Sequence, residues 1–110
     1  MPLGWDAVMD FAASLPETER STHYGDPAVK ANGNAFISPG READSFCLHI
    51  DRATVDMLKE TDPQSFWQTP HYEGWPSLLV RYDSADPERV FAMIERAHRQ
   101  ALAKKRPRGR

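Results

Sequence analysis

Four histidines, one cysteine and a scatter of cationic side chains are the groups in this 110-residue chain with chemistry to offer. His23, His49, His71 and His98 share no metal-ligand spacing, such as two on one helical face. Cys47 and His49 stand two apart, so on a strand they share a face and could meet as thiol and imidazole. A catalytic pair also needs an orienting group and an oxyanion donor, and no nucleophile elbow, Gly-rich phosphate loop or zinc signature accompanies them. The plainer reading is a packed cysteine beside an exposed histidine. No catalytic residue, cofactor or metal is expected.

Phosphate binding is better provided for. Lys30 and Arg81 fall in segments that read as strands, where a rigid backbone could aim a cation at a phosphate without reading sequence. The competing reading is that each pairs with a neighbouring carboxylate or is simply solvated. His23-Tyr24-Gly25 and His71-Tyr72-Glu73-Gly74-Trp75 each set His-Tyr just ahead of a glycine, so His23 and Trp75 could line a base-stacking surface. Alternatively, the aromatics cover the edge of the core and the histidines cap turns. The clearest electrostatic feature is the segment 104–110, where Lys104, Lys105, Arg106, Arg108 and Arg110 are five cations with no acidic residue among them. It either attracts phosphate at long range or is a solubilising end that binds nothing specific.

That tail matters because the rest of the chain has the opposite sign. The net charge is −2, from 14 basic and 16 acidic residues. With the five tail cations removed, nine basic groups face 16 acidic ones, so residues 1–103 carry −7. A body of that sign repels phosphate, and any nucleic-acid contact must rely on the tail or on a local basic patch.

The elements that would position these groups fit one domain over residues 1–103, followed by the tail at 104–110, which is expected to be disordered. With 40% apolar and 27% charged residues the composition is globular. A single cysteine excludes an intrachain disulfide, no apolar run is long enough to span a membrane, and no secretory signal opens the chain. A cytoplasmic location is the expectation.

Trp5, Val8, Met9 and Ala12 recur at helical spacing and predict a helix over about 4–14, ended by Pro16. Short strands follow at about 18–24, 28–31, 34–38 and 45–50. Asn32-Gly33 joins the second and third as a two-residue hairpin. Asp51 caps a helix over 52–61, stopped at Asp62-Pro63. Strands are predicted near 65–68 and 77–82, the latter with Leu78, Val80 and Tyr82 on one face and Leu79 and Arg81 on the other. Asp86 and Pro87 start a last helix with Val90, Phe91, Ile94, Ala97 and Leu102 on its apolar face and basic residues toward its end. Short links force antiparallel pairing, and the order predicts an α+β two-layer sandwich with helices on one face and the other partly open to water.

Several of these segments together resemble the MmcQ/YjbR family. They are Ser14-Leu15-Pro16-Glu17-Thr18-Glu19, then Thr22-His23-Tyr24-Gly25-Asp26-Pro27-Ala28-Val29-Lys30, then Asn32-Gly33. Asp62-Pro63, His71-Tyr72-Glu73-Gly74-Trp75-Pro76 and Leu79-Val80-Arg81-Tyr82 follow in the same order and spacing, with a long final helix. One departure is Val29, where many relatives carry an aromatic. The resemblance implies a secretion-chaperone-like α/β sandwich, described as a double-wing DNA-binding arrangement, without cofactor or catalytic residues. The expected function is therefore a non-enzymatic DNA-binding domain of weak sequence selectivity. Its site would draw on Lys30, Arg81, His23, Trp75 and the tail. A protein-interaction module and a small-molecule pocket near His23, Trp75 and Arg81 are the alternatives.

Overall fold

The computed structural model describes residues 4–23, 26–40, 44–70 and 73–104, with the side chains of His23 and Asp26 outside the description. Nine elements follow one another: α1 (Trp5–Ala13), β1 (Thr18–His23), β2 (Asp26–Ala31), β3 (Asn34–Pro39), β4 (Ser45–His49), α2 (Arg52–Thr61), β5 (Phe66–Trp67), β6 (Ser77–Arg81) and α3 (Pro87–Ala103). The six strands form one antiparallel sheet in the order β1-β2-β3-β4-β6-β5. This is the α+β architecture that the element order predicts.

Local chemistry accounts for the element ends. Asn32 and Gly33 both take positive φ, 52° and 77°, as a twist-matched hairpin turn demands. Asp51 accepts from the Thr54 N–H at 3.0 Å, and Asp86 from the Arg89 N–H at 3.1 Å, so both acidic residues cap the helices expected of them. Pro87 sits in the first turn of α3, where its missing N–H costs nothing. One detail differs: the last turn of α3 holds no basic residue, and the first cation there is Lys104, at the cap position.

One transverse row organises the sheet. Val29 pairs with Ile37, Ile37 with Leu48 and Leu48 with Leu78, and all four are fully buried in the main core. A bulge between Val29 and Lys30 inserts an extra β3 residue. The bulge lets Phe36 and Ile37, adjacent in sequence, both enter the core instead of alternating across the sheet. Val8 and Ala12 of α1, Val55 and Leu58 of α2, and Val90, Ile94, Ala97 and Ala101 of α3 complete that core.

The face away from this core is closed at its centre. Ala28, Ser38, Cys47 and Leu79, whose strand parity puts them on that face, are all buried. His49 joins three strands there, with Nε2 at 3.2 Å from the Ser38 hydroxyl and Nδ1 at 2.9 Å from the Ser77 hydroxyl. The expectation of a partly open face therefore holds only at the rim.

Candidate functional site

The central row gives a common level from which every strand can be counted. Lys30 lies one residue beyond Val29, toward the Asn32-Gly33 turn. In that same direction β6 runs through Ser77 and Pro76 to Trp75, three residues beyond Leu78, and the Ile50 N–H still bonds the Pro76 carbonyl at 3.1 Å. Trp75 is thus level with the hairpin turn, three strand spacings away, or about 14 Å. Arg81 lies three residues beyond Leu78 in the opposite direction. Lys30 and Arg81 are therefore about 13 Å apart along the strands and about 14 Å across them.

Register separates the expected site residues into two groups. His23 ends β1 on Arg81's level, since Arg20 is the partner of Val29 and His23 lies three residues further in Arg81's direction. Trp75 and Lys30 lie at the hairpin end. Register therefore sets Trp75 and Arg81 at opposite ends of the sheet, and the side chain of His23 lies outside the description. Of the tail, Lys104 is described and Lys105, Arg106, Arg108 and Arg110 lie outside the described residues.

Arg81 has a full set of neighbours. Its guanidinium stacks 4.7 Å from the centroid of the Trp67 ring, and Nη1 donates to Asp44 Oδ2 at 3.0 Å. Both partners of this ion pair are substantially exposed, so it contributes on the order of 0–1 kcal/mol, yet it neutralises the charge a phosphate would seek. The carboxylate alternative is realised for Arg81. Lys30 faces Glu19 as a cross-strand neighbour, but no ion pair joins them.

The hairpin end is assembled by three amide side chains. Asn32 Nδ2 donates to the Lys104 carbonyl at 2.8 Å and to the Leu102 carbonyl at 3.4 Å, while Asn34 Nδ2 reaches the Ala101 carbonyl at 3.2 Å. These bonds satisfy carbonyls left over at the end of α3 and fix the root of the basic tail to the turn. One helical turn back, Gln100 Oε1 accepts from the Asp51 N–H at 3.0 Å, and its Nε2 donates to Asp51 Oδ1. The end of α3 is thereby locked to the start of α2. Burial would raise the Asp51 pKa, but hydrogen bonds from Thr54 and Gln100 and the nearby positive charge of Arg96 outweigh it and hold the carboxyl below its usual value.

From Asp51 the path continues to Trp75. Arg52, Asp56 and Lys59 of α2 and Gln68, Glu73 and Trp75 of the β5–β6 connection line a groove of about 170 Å³. Gln68 Nε2 donates to the carbonyls of Trp75 at 3.1 Å and Ser77 at 2.7 Å, and Lys59 Nζ donates to Gln68 Oε1 at 2.9 Å. Gly74, at φ 84°, makes the turn that holds the indole out from the surface. Trp75 is 64% exposed and is the one exposed large hydrophobic side chain among the described residues.

A larger cavity of about 490 Å³ lies on the other flank of the hairpin, lined by Glu17, Thr18, Glu19, Asn32, Gly33 and Leu102. Two glutamates make it hostile to phosphate despite its size. Cations at this end include Lys30, Arg52 and Lys104, and Arg96 acts there on Asp51 through its charge. Arg52 and Arg96 escaped the sequence reading, because nothing local connects the first residue of α2 with a tryptophan 23 positions later. Among the described residues no group of three or more His, Cys, Asp or Glu side chains could hold a metal, and no helix is long and apolar enough to cross a membrane.

A family model described as YjbR matches residues 13–100 of the chain. No curated protein and no solved structure matches it.

Proposed function

Because the chain belongs to the YjbR family, we propose that it is a non-enzymatic DNA-binding domain of weak sequence selectivity, and that it meets DNA at the hairpin end of the sheet. The observation that carries this reading is the anchoring of the tail root. Asn32 ties the Lys104 carbonyl to the turn, so the five tail cations start from the end that also holds Lys30, Arg52 and the exposed Trp75. Cations gathered in this way supply non-specific affinity to a molecule whose remaining charge is −7. Arg81 lies at the opposite end of the sheet and is paired with Asp44, so this reading assigns it no phosphate contact.

A titration of labelled DNA with micromolar protein tests the reading. Binding at low salt, falling steeply as salt rises and weakened by removal of residues 104–110, is the expected result. DNA left unbound at low salt ends the proposal.

The acidic body supports a second reading, a module that docks a basic protein partner. The tailless domain separates the two: a retained basic polypeptide favours this reading, and nucleic-acid binding that disappears with the tail favours the first.

A further inference from the structure

We infer that the groove beside Trp75 accepts an unpaired nucleobase, so that the domain prefers single-stranded DNA to duplex. The inference rests on the DNA-binding reading and adds the form of nucleic acid that the site selects.

The groove's charge is the first argument. Arg52 and Lys59 are matched by Asp56 and Glu73, so the groove as a whole is neutral. A groove of zero net charge imposes no penalty on a neutral aromatic ring. Its most exposed wall is an indole, and every base has a π-face that an indole can stack against. Bases in a duplex are stacked on each other and offer only their edges, so the indole's face is of use only to an unpaired base.

Position is the second argument. A base in this groove would leave its own backbone beside Arg52, and from Arg52 the surface leads through the Asp51–Gln100 contact to Lys104, one helical turn on. The cations that hold the backbone and the ring that holds the base thus occupy one continuous end of the molecule. The site is also firm before any ligand arrives, because Gln68 fixes the Trp75 and Ser77 carbonyls and is itself held by Lys59. Less ordering is then needed on binding.

Fluorescence anisotropy with labelled oligo-dT and with a duplex of equal length tests the inference on the full chain at low salt. The single strand should bind roughly ten-fold more tightly than the duplex. Trp75→Ala should remove that preference by weakening single-strand binding roughly ten-fold, and Trp75→Phe should restore part of it by returning a ring. Since Trp75 is mostly exposed, neither variant threatens the fold. Equal affinity for the two DNAs overturns the inference while leaving DNA binding intact, as does a single-strand preference that survives Trp75→Ala. Failure to bind either DNA overturns the inference together with the reading beneath it.

Discussion

At one end of the sheet Arg81 is stacked on Trp67 and bonded to Asp44, while at the other Lys30, Arg52 and Lys104 make no ion pair among the described residues. The aromatics differ in the same way. Trp67 is half-buried under a guanidinium, whereas Trp75 stands out beside a groove. Both ends hold a tryptophan and an arginine, and only at the hairpin end are the two neither stacked on each other nor ion-paired among the described residues. The lesson is that the kind of residue matters less than whether its charge and its ring are already taken.

The sharpest way to break this comparison is to remove the tail. Without residues 105–110, four cations are lost, and the slope of log affinity against log salt should fall by about 3 to 4 if each neutralises a phosphate. An unchanged slope would mean that the tail is not a contact. Next comes a core substitution that should not discriminate between the ends. Leu48→Ala, in the fully buried central row, should cost about 2–5 kcal/mol in denaturant unfolding while the folded fraction binds as before.

A smaller effect is expected at the tether. Asn32→Ala should lose about 1–2 kcal/mol, because it forces alanine to positive φ and removes the bonds to the end of α3. Asn32→Gly keeps the turn and loses only the tether, so any drop in DNA affinity in that variant reports the position of the tail root. Smallest is the change at the other end. Arg81→Gln should alter stability by no more than about 1 kcal/mol and leave DNA affinity alone, whereas Lys30→Gln should weaken it.

Acid should act at the hairpin end through Asp51. Its folded-state pKa lies below the unfolded value, so its contribution is complete above that ordinary value and is lost as pH falls through the folded one. Asp51→Asn should flatten this part of an acid-unfolding curve. Tyr82 behaves in the reverse sense: burial, with the negative charge of Asp6 adding to it, pushes its pKa up to about 12. Its contribution is complete below pH 10 and lost toward 12.

Much of this fold can be read from local signals. Asn32-Gly33, Asp51, Asp86-Pro87 and the stripe Val90, Ile94, Ala97 each act within a few residues, so the sequence announces the turn, both caps and the buried face of α3. The levels of Lys30 and Arg81 depend on pairing across four strands and on the bulge at Phe36, which breaks the alternation that strand reading assumes. That long-range register decides which residues share an end, and no local pattern records it. No local signal separates an exposed Trp75 from one that covers the edge of the core, since both readings fit an aromatic beside a glycine turn. The Asp44 partner of Arg81 was foreseen only as a class of possibility, because 37 residues separate the two.

An amide NMR titration of the full chain with oligo-dT tests most directly whether the hairpin end is the contact surface. The account predicts shifts concentrated at residues 30–35, 73–77 and 100–104 and at Arg52, with Asp44, Ser45 and Arg81 still. Shifts centred on Asp44 and Arg81, with the Trp75 and Asn32 amides unmoved, would contradict it.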